Sequence, residues 1–347
     1  MPIKIAGAGI SGISAAISLA KFGYEVEIHE QAKTNASRFH GDYQGLINWQ
    51  VDKDILEFLK EINIEINFPY KIFDETTIYN NKLKSFVFKF EKPAFYLVKR
   101  GPFPGAIDEA IRKQAESLGV KFHFNSKIDD ADIFATGPKR TDALDIGYLF
   151  ETDLPDMIVA LLDDKIAPKM YAYLVVVNGE ATCATVMMPP FKNSKVLADI
   201  AFETFCKLYN LSPKNKRLFS GYGNFSYELI NNMDKPYVGE SAGFQDALFG
   251  AGMHYAFYSG YLAAKSIHEK LDYWELVRKE IHPWMRASLS NRFGFELLGN
   301  KGYSFVLNQA CKGKNLSKSL QKRYNENKIT KLLYPVARRV LKNRYQP

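Results

Sequence analysis

Four residues near the start of the chain carry the plainest chemistry. Gly7, Gly9 and Gly12 stand in the run Gly7-Ala8-Gly9-Ile10-Ser11-Gly12, between a short apolar stretch (Ile3, Ile5, Ala6) and an Ala-, Ile- and Leu-rich segment that ends at Lys21. Glu30 follows eighteen residues after Gly12, at the end of a second strand-like run from Tyr24 to His29. A bound diphosphate needs free backbone N–H groups and a backbone it can approach closely. Gly7 permits the tight turn, Gly9 the approach, and Gly12 the packing of helix on strand. The helix they open turns the N–H groups around Ile10 and Ser11, and the positive end of its dipole, toward phosphate. Glu30, with Gln31 beside it, is placed to accept hydrogen bonds from a ribose diol.

Those residues need a scaffold, and the rest of the chain supplies one. Residues 3–30 read as strand, tight turn, helix and strand, with Gly23 as the helix stop. From about 70 to 98 the pattern is β, with a polar turn at Asn80-Asn81 and alternation through Phe86, Phe88 and Phe90. A helix over 105–118 leads to a strand at 120–124, and a short strand over 132–136 ends at Gly137. Two β-branched runs between Tyr171 and Met188 flank Asn178-Gly179, a strong hairpin signal. After Pro236 the chain turns glycine-rich and then enters a long helix through Ser259 and Ala264, and from Trp274 it is helical and increasingly basic. The expected fold is α/β. A Rossmann-like nucleotide-binding domain (1–68, 97–148 and 232–272) is interrupted by a β-sheet substrate domain (69–96 and 149–231), and a helical basic region (273–347) follows.

Composition narrows the class. At 347 residues, 46% hydrophobic and 24% charged, the chain is an ordinary globular one, which excludes disordered and collagen-like classes. Its longest clean apolar run, Tyr171 to Val177, falls far short of the roughly 20 residues of a membrane span. The first residues lack the pattern of a secretory signal. Cys183, Cys206 and Cys311 are widely spaced and odd in number, which argues against a disulfide scaffold or a zinc cluster. A cytoplasmic protein without a metal centre is expected. From Cys311 onward eleven Lys and Arg face one acid, Glu326, so this segment carries +10 of a whole-chain charge of +8 and the rest is near −2. Basicity so local does not suit a nucleic-acid-binding face, and no specific nucleic acid is expected.

Three segments together resemble the flavoprotein superfamily that includes p-hydroxybenzoate hydroxylase, and within it the geranylgeranyl reductase family. They are the glycine run with Glu30, the segment Tyr96-Leu-Val-Lys-Arg100 with the helix carrying Gly105, Asp108 and Ala115, and the stretch from Tyr237 to Met253. The resemblance implies a GR2-type fold with FAD as cofactor. It places Gly7, Gly9 and Gly12 at the pyrophosphate, Glu30 at the adenosine ribose, and Arg100 at the ribityl and phosphate region. Arg38 and Gly137 fall in the same cofactor-binding set. Gly239 and Glu240 stand where the family has Gly-Asp, and Gly250, Gly252 and Met253 where backbone N–H groups meet the flavin edge. Two departures are visible: Ala247 follows Asp246 where a Pro is usual, and Tyr171-Ala-Tyr173 only partly matches the family's aromatic Tyr-x-Trp-x-Phe-Pro pattern.

The activity so implied is reduction of C=C bonds in an apolar, polyprenyl or lipid, substrate. Electrons would come from NADPH or a ferredoxin-like carrier. His254, Tyr43 and Tyr255 are the candidate proton donors, and the aromatics of the β insertions either line an apolar tunnel or form plain core. Two alternatives share the cofactor: a monooxygenase acting on an aromatic or polyketide-like substrate, and a redox-neutral cyclase or isomerase. At the C-terminus, Ile329, Leu332, Leu333, Val336, Val340 and Leu341 recur at helical intervals among cations, with Pro335 expected to interrupt the first turns. The pattern fits a basic amphipathic helix on an anionic membrane, and equally a basic surface helix packed on the body. The sequence leaves the oligomeric state open.

Overall fold

The computed structural model describes residues 1–230, 233–313 and 316–346. A parallel four-stranded sheet in the order β8-β2-β1-β9 organises the N-terminal half. It comprises β1 (Ile3–Ala6), β2 (Val26–Glu30), β8 (Lys121–Phe124) and β9 (Ile133–Phe134). A parallel sheet needs cover on its faces. Part of it comes from α1 (Ile10–Lys21), whose Ile13, Ile17 and Leu19 are fully buried, and from α3 (Ile107–Ser117). α5 (Met253–Glu269) lies against α1 at very short range: a Cβ on Gly260 would stand 2.2 Å from the Ser11 carbonyl oxygen, and the Ser14 hydroxyl donates to the Phe257 carbonyl at 2.7 Å. This crossing brings the N-termini of both helices to one side of the sheet.

A seven-stranded sheet forms the second layer, in the order β14-β10-β13-β12-β11-β5-β6. Its strands are β5 (Glu75–Asn80), β6 (Ser85–Lys89), β10 (Ala143–Glu151), β11 (Met157–Leu162), β12 (Ala172–Val177), β13 (Glu180–Met187) and β14 (Lys214–Gly223). All pairings are antiparallel except β5 with β11. β12 and β13 are the hairpin expected around Asn178 and Gly179, both with positive φ (51° and 80°) as a tight two-residue turn requires. Ala201, Phe202 and Phe205 of α4 (Ser194–Tyr209) close the outer face on Tyr148, Phe150 and Cys183. A small sheet of β3 (Tyr43–Ile47), β7 (Phe95–Lys99) and β4 (Lys71–Phe73) joins the layers, with α2 (Ile55–Glu61) beside it. β10 starts within the stretch assigned by sequence to the nucleotide-binding domain, yet it pairs wholly within the seven-stranded sheet.

The basic C-terminal region is built into the body. Tyr273, Trp274 and Val277 of α6 (Tyr273–Glu280) and Met285 of α7 (His282–Lys312) join the core around α1 and α5. Leu307 packs on Phe86 and Phe88, Tyr324 of α8 (Leu316–Tyr324) on Trp49, and Leu341 of α9 (Lys328–Tyr345) in the cluster of Met170 and Phe225. Arg292, fully buried, pairs with Glu296 at 2.8 Å, and Glu296 also receives Arg344 at 2.5 Å and the Tyr345 hydroxyl at 2.8 Å. Uncompensated charges at such depth would be costly, so this junction fixes α7 against α9. Gly299 (φ 55°, ψ −170°) breaks α7 and lets its second half swing over the sheet. α9 runs unbroken through Pro335, against the sequence expectation. Pro335 is exposed, and a carbonyl that loses its N–H partner there turns to water.

Candidate functional site

Between the two layers lies one cavity of about 1620 Å³. That exceeds the roughly 300–1,000 Å³ usual for a single small ligand, so it has room for a dinucleotide and a second molecule. One end is formed by the β1–α1 turn, the end of β2, and the start of α5. The other is lined by α7, α8 and α9, where the lining residues Leu298, Phe305 and Ile329 reach solvent.

At the first end the glycines divide their work as the spacing predicts. Gly7 (φ 107°) sits so close to β9 that a Cβ would meet the Ala135 carbonyl oxygen at 2.3 Å, and a Cβ on Gly12 would meet the Gly7 oxygen at 2.1 Å. Both serve packing. A Cβ on Gly9 meets nothing within 4 Å, because it faces the cavity. No side chain caps α1 at Gly9 or α5 at Gly252, so two helix starts offer uncapped N–H groups to the same space, which Ile10, Ser11 and Met253 also line. Gly250 (φ 73°) and Gly137 line it too, whereas Gly239 packs on α1: its Cβ would stand 2.7 Å from the Ser11 hydroxyl. Glu30 accepts from the Ala8 N–H (2.8 Å) and the Ala32 N–H (2.9 Å), one per carboxylate oxygen, leaving a lone pair on each for a ligand; Gln31 lines the wall beside it.

The arginines are engaged. Arg100, 5% exposed, forms a two-pronged pair with Asp108 (2.9 and 3.0 Å), donates to Gln44 (2.7 Å) and stacks on Phe39 at 3.8 Å. Its charge is therefore balanced within the protein. Arg38 reaches Glu240 at 2.7 Å and the Tyr222 carbonyl at 3.2 Å, joining two cofactor-binding candidates far apart in sequence.

The proton-donor candidates fare differently. Tyr43 lines the cavity, and its hydroxyl donates to Glu180 at 2.9 Å; burial and that acceptor push its ionisation upward. His254 and Tyr255 do not reach the cavity. α5 starts at Met253, so residues 253 and 256 face inward to the ligand space, and 254 and 255 point into the core, one-quarter to half a turn away. There His254 packs on Trp284, and burial drives its pKa down to about 3.

Two carboxyls that the sequence reading did not select hold key positions. Asp145 of β10 lines the cavity; its Oδ2 accepts from the Tyr173 hydroxyl at 2.9 Å, and its Oδ1 is sealed from solvent without a partner. Burial, with Asp42 nearby, pushes its pKa up to about 7. Tyr171, next to Tyr173, donates to the Phe249 carbonyl at 2.7 Å, which ties this wall to the loop before α5. Asp246, fully buried, shapes that loop: it accepts from the Leu248 and Phe249 N–H groups, from Ser288 of α7 (2.5 Å) and from Tyr324 of α8 (3.2 Å). Only the partial Tyr171-x-Tyr173 motif signalled the first. Nothing in the sequence brings Ser288 and Tyr324 to the second. Glu27, His29 and His123 on β2 and β8 bring three potential ligand atoms within 4.8 Å, apart from the acid–tyrosine wall.

The far end is apolar. Phe88, Phe95 and Leu97 of the sheets, Phe90 just after β6, and Phe295 and Leu307 of α7 line it. Some of the β-insertion aromatics thus line the cavity; others, such as Phe86, are core.

The fold is shared with solved flavoprotein structures of low sequence identity. A geranylgeranyl bacteriochlorophyll reductase-like protein from Thermoplasma acidophilum superposes with a TM-score of 0.73 at 16% identity, over 96% of this chain and 98% of that one. A flavoprotein/dehydrogenase from Cytophaga hutchinsonii gives 0.64 at 16% identity over 99% and 98% of the two chains, and a flavin-dependent brominase 0.63 at 14% over 98% and 99%. No family model and no curated protein matches the sequence.

Proposed function

We propose that the protein is an FAD-dependent oxidoreductase that reduces C=C bonds of an apolar, polyprenyl-type substrate. The observation that carries this reading is the large cavity, with two uncapped helix starts at one end and phenylalanine and leucine side chains lining the other. The residues fit FAD: Gly9 leaves open space where a pyrophosphate must approach, Glu30 keeps acceptor capacity for a ribose, and the start of α5 offers N–H donors to the electron-rich edge of a flavin. When bound, FAD supplies hydride transfer, chemistry that side chains lack.

The chain's own residues then hold, orient and protonate. Reduction of an alkene consumes a hydride and a proton. Asp145, with a pKa raised to about 7 and a hydrogen bond from Tyr173, is a group on the cavity wall that can release a proton at physiological pH. The apolar end of the cavity excludes water and aligns a long hydrocarbon. Electrons are supplied by NADPH or a ferredoxin-like carrier. A second reading, a flavin monooxygenase or halogenase, draws support from the likeness to the brominase.

The deciding experiment is an absorption spectrum of the purified protein, taken in air, after dithionite, and after anaerobic NADPH. A yellow protein bleached by dithionite and not by NADPH fits a reductase fed by another carrier. Fast bleaching by NADPH and rapid reoxidation in air favours the monooxygenase. A colourless protein that fails to take up added FAD overturns the proposal.

A further inference from the structure

The mouth of the cavity is unusual in being greasy outside as well as inside. Leu298 and Phe305 of α7 and Ile329 and Leu333 of α9 line the cavity and are also exposed to solvent, Phe305 by 64% and Ile329 by 70%. Leu332 (79% exposed) and Val336 (52%) continue the patch along α9. The helix thus carries two apolar stripes. Ala337 and Leu341 are buried with Thr330, as core packing requires, while residues 329, 332, 333 and 336 recur at helical spacing on the outside, where nothing among the described residues covers them. Isolated exposed leucines are ordinary; a contiguous stripe continuous with a cavity is an interaction surface.

Charge tells which surface it meets. Exposed Lys301, Arg323, Lys328 and Arg339 lie among these residues, Arg323 on the cavity rim itself. The nearby acids are already engaged: Glu326 by Arg286 and Lys331, Glu296 by Arg292 and Arg344, and Asp52 by the amides of Gln321 and Asn325. An apolar stripe flanked by unneutralised cations complements the headgroup and acyl boundary of an anionic bilayer. No helix among the described residues is long and apolar enough to cross a membrane, so the contact is a surface one. We infer that the α7–α9 face docks on an anionic lipid bilayer and sets the open mouth of the cavity against the acyl chains. Docking itself does not depend on the flavin reading; only its use, to admit a membrane-dissolved substrate, rests on that reading.

The test is co-sedimentation of the full-length protein with phosphatidylcholine vesicles, with and without phosphatidylglycerol, at low and high salt. Removing α8 and α9 is no control, since Tyr324, Ala337 and Leu341 are core. Point variants are: Leu332→Asp and Val336→Asp sit on exposed positions off the cavity wall and leave melting temperature and any bound flavin unchanged. Binding is expected with phosphatidylglycerol and weakly without it. It should fall at least tenfold in either Asp variant, and severalfold in Lys301→Glu/Arg339→Glu or at high salt. Equal binding by wild type and Leu332→Asp overturns the inference, as does no binding to anionic vesicles. So does a wild-type dimer that Leu332→Asp splits, which assigns the stripe to a second copy. A colourless protein that still binds vesicles would sink the flavin reading alone.

Discussion

The two ends of the cavity are built on opposite principles. At the β1–α1 end the character is in the backbone: glycines crowded against neighbouring carbonyls or facing open cavity, and two helix starts left uncapped. At the mouth it is in the side chains, with apolar groups presented outward from helices whose buried faces are fixed by a charged junction around Glu296. The first arrangement suits a rigid, charged molecule met by directional N–H donors. The second suits a flexible hydrocarbon, which gives hydrogen bonds nothing to hold and is selected by area alone. The middle, where Asp145, Tyr173 and the Asp246 loop meet, is where the two must be coupled.

Substitutions at the glycines test the backbone end most sharply. Gly12→Val drives a side chain into the Gly7 carbonyl and the Ala135 Cβ, so the fold itself should suffer, by roughly 3–5 kcal/mol in a denaturant titration. Gly9→Val, at an ordinary φ of −79° and facing open space, should leave melting unchanged while FAD affinity drops about 100-fold, near 2.7 kcal/mol. A Gly9→Val protein that binds flavin normally would show that the nucleotide end is misassigned.

Asp246→Ala attacks the coupling. It strips acceptors from two backbone N–H groups and from Ser288 and Tyr324, each buried donor costing about 1–3 kcal/mol. Lower stability together with at least tenfold weaker flavin binding is expected, and a change in stability alone would make the loop a mere brace.

Asp145→Asn gives a pH signature. The wild-type carboxyl has a pKa raised from 3.8 to about 7 by burial, so it costs the folded state nothing at low pH. The cost grows as pH climbs from about 4 to 7, when the unfolded chain has released the proton and the folded one has not. Thermal melts should therefore show Asp145→Asn equal to wild type near pH 4 and more stable by a few degrees at pH 8. Turnover in the wild type should decline as pH rises through about 7, and should be low and flat in the variant. Arg38→Ala is the mildest change: the pair with Glu240 is partly exposed, so stability should shift by about 1 kcal/mol or less, with a severalfold effect on flavin affinity in a fluorescence titration.

How much of this was legible in the sequence follows from how local each feature is. The β1–α1 turn, the β12–β13 hairpin and the acid at the end of β2 are set by neighbours in the chain, and the structure has them where spacing predicts. His254 and Tyr255 failed as proton donors because a shift of one residue on a helix turns a side chain by about 100°, and the reading fixed the helix start without fixing its rotation. Pro335 was expected to break a helix that tertiary packing keeps whole.

By itself, then, the sequence determined the β1–α1 turn and the acid at the end of β2, because both are made by residues within one strand–helix–strand unit. It also established that the C-terminus is basic and amphipathic. Only the tertiary structure decided that Asp145 meets Tyr173 across 28 positions and that Asp246 is ringed by hydroxyls 42 and 78 positions away. It alone chose which of the two apolar stripes of α9 is buried. A helix with two such stripes satisfies its periodicity with either one inward, and the choice falls to the partner it packs against, here α7 with Arg292 and Glu296 already in place.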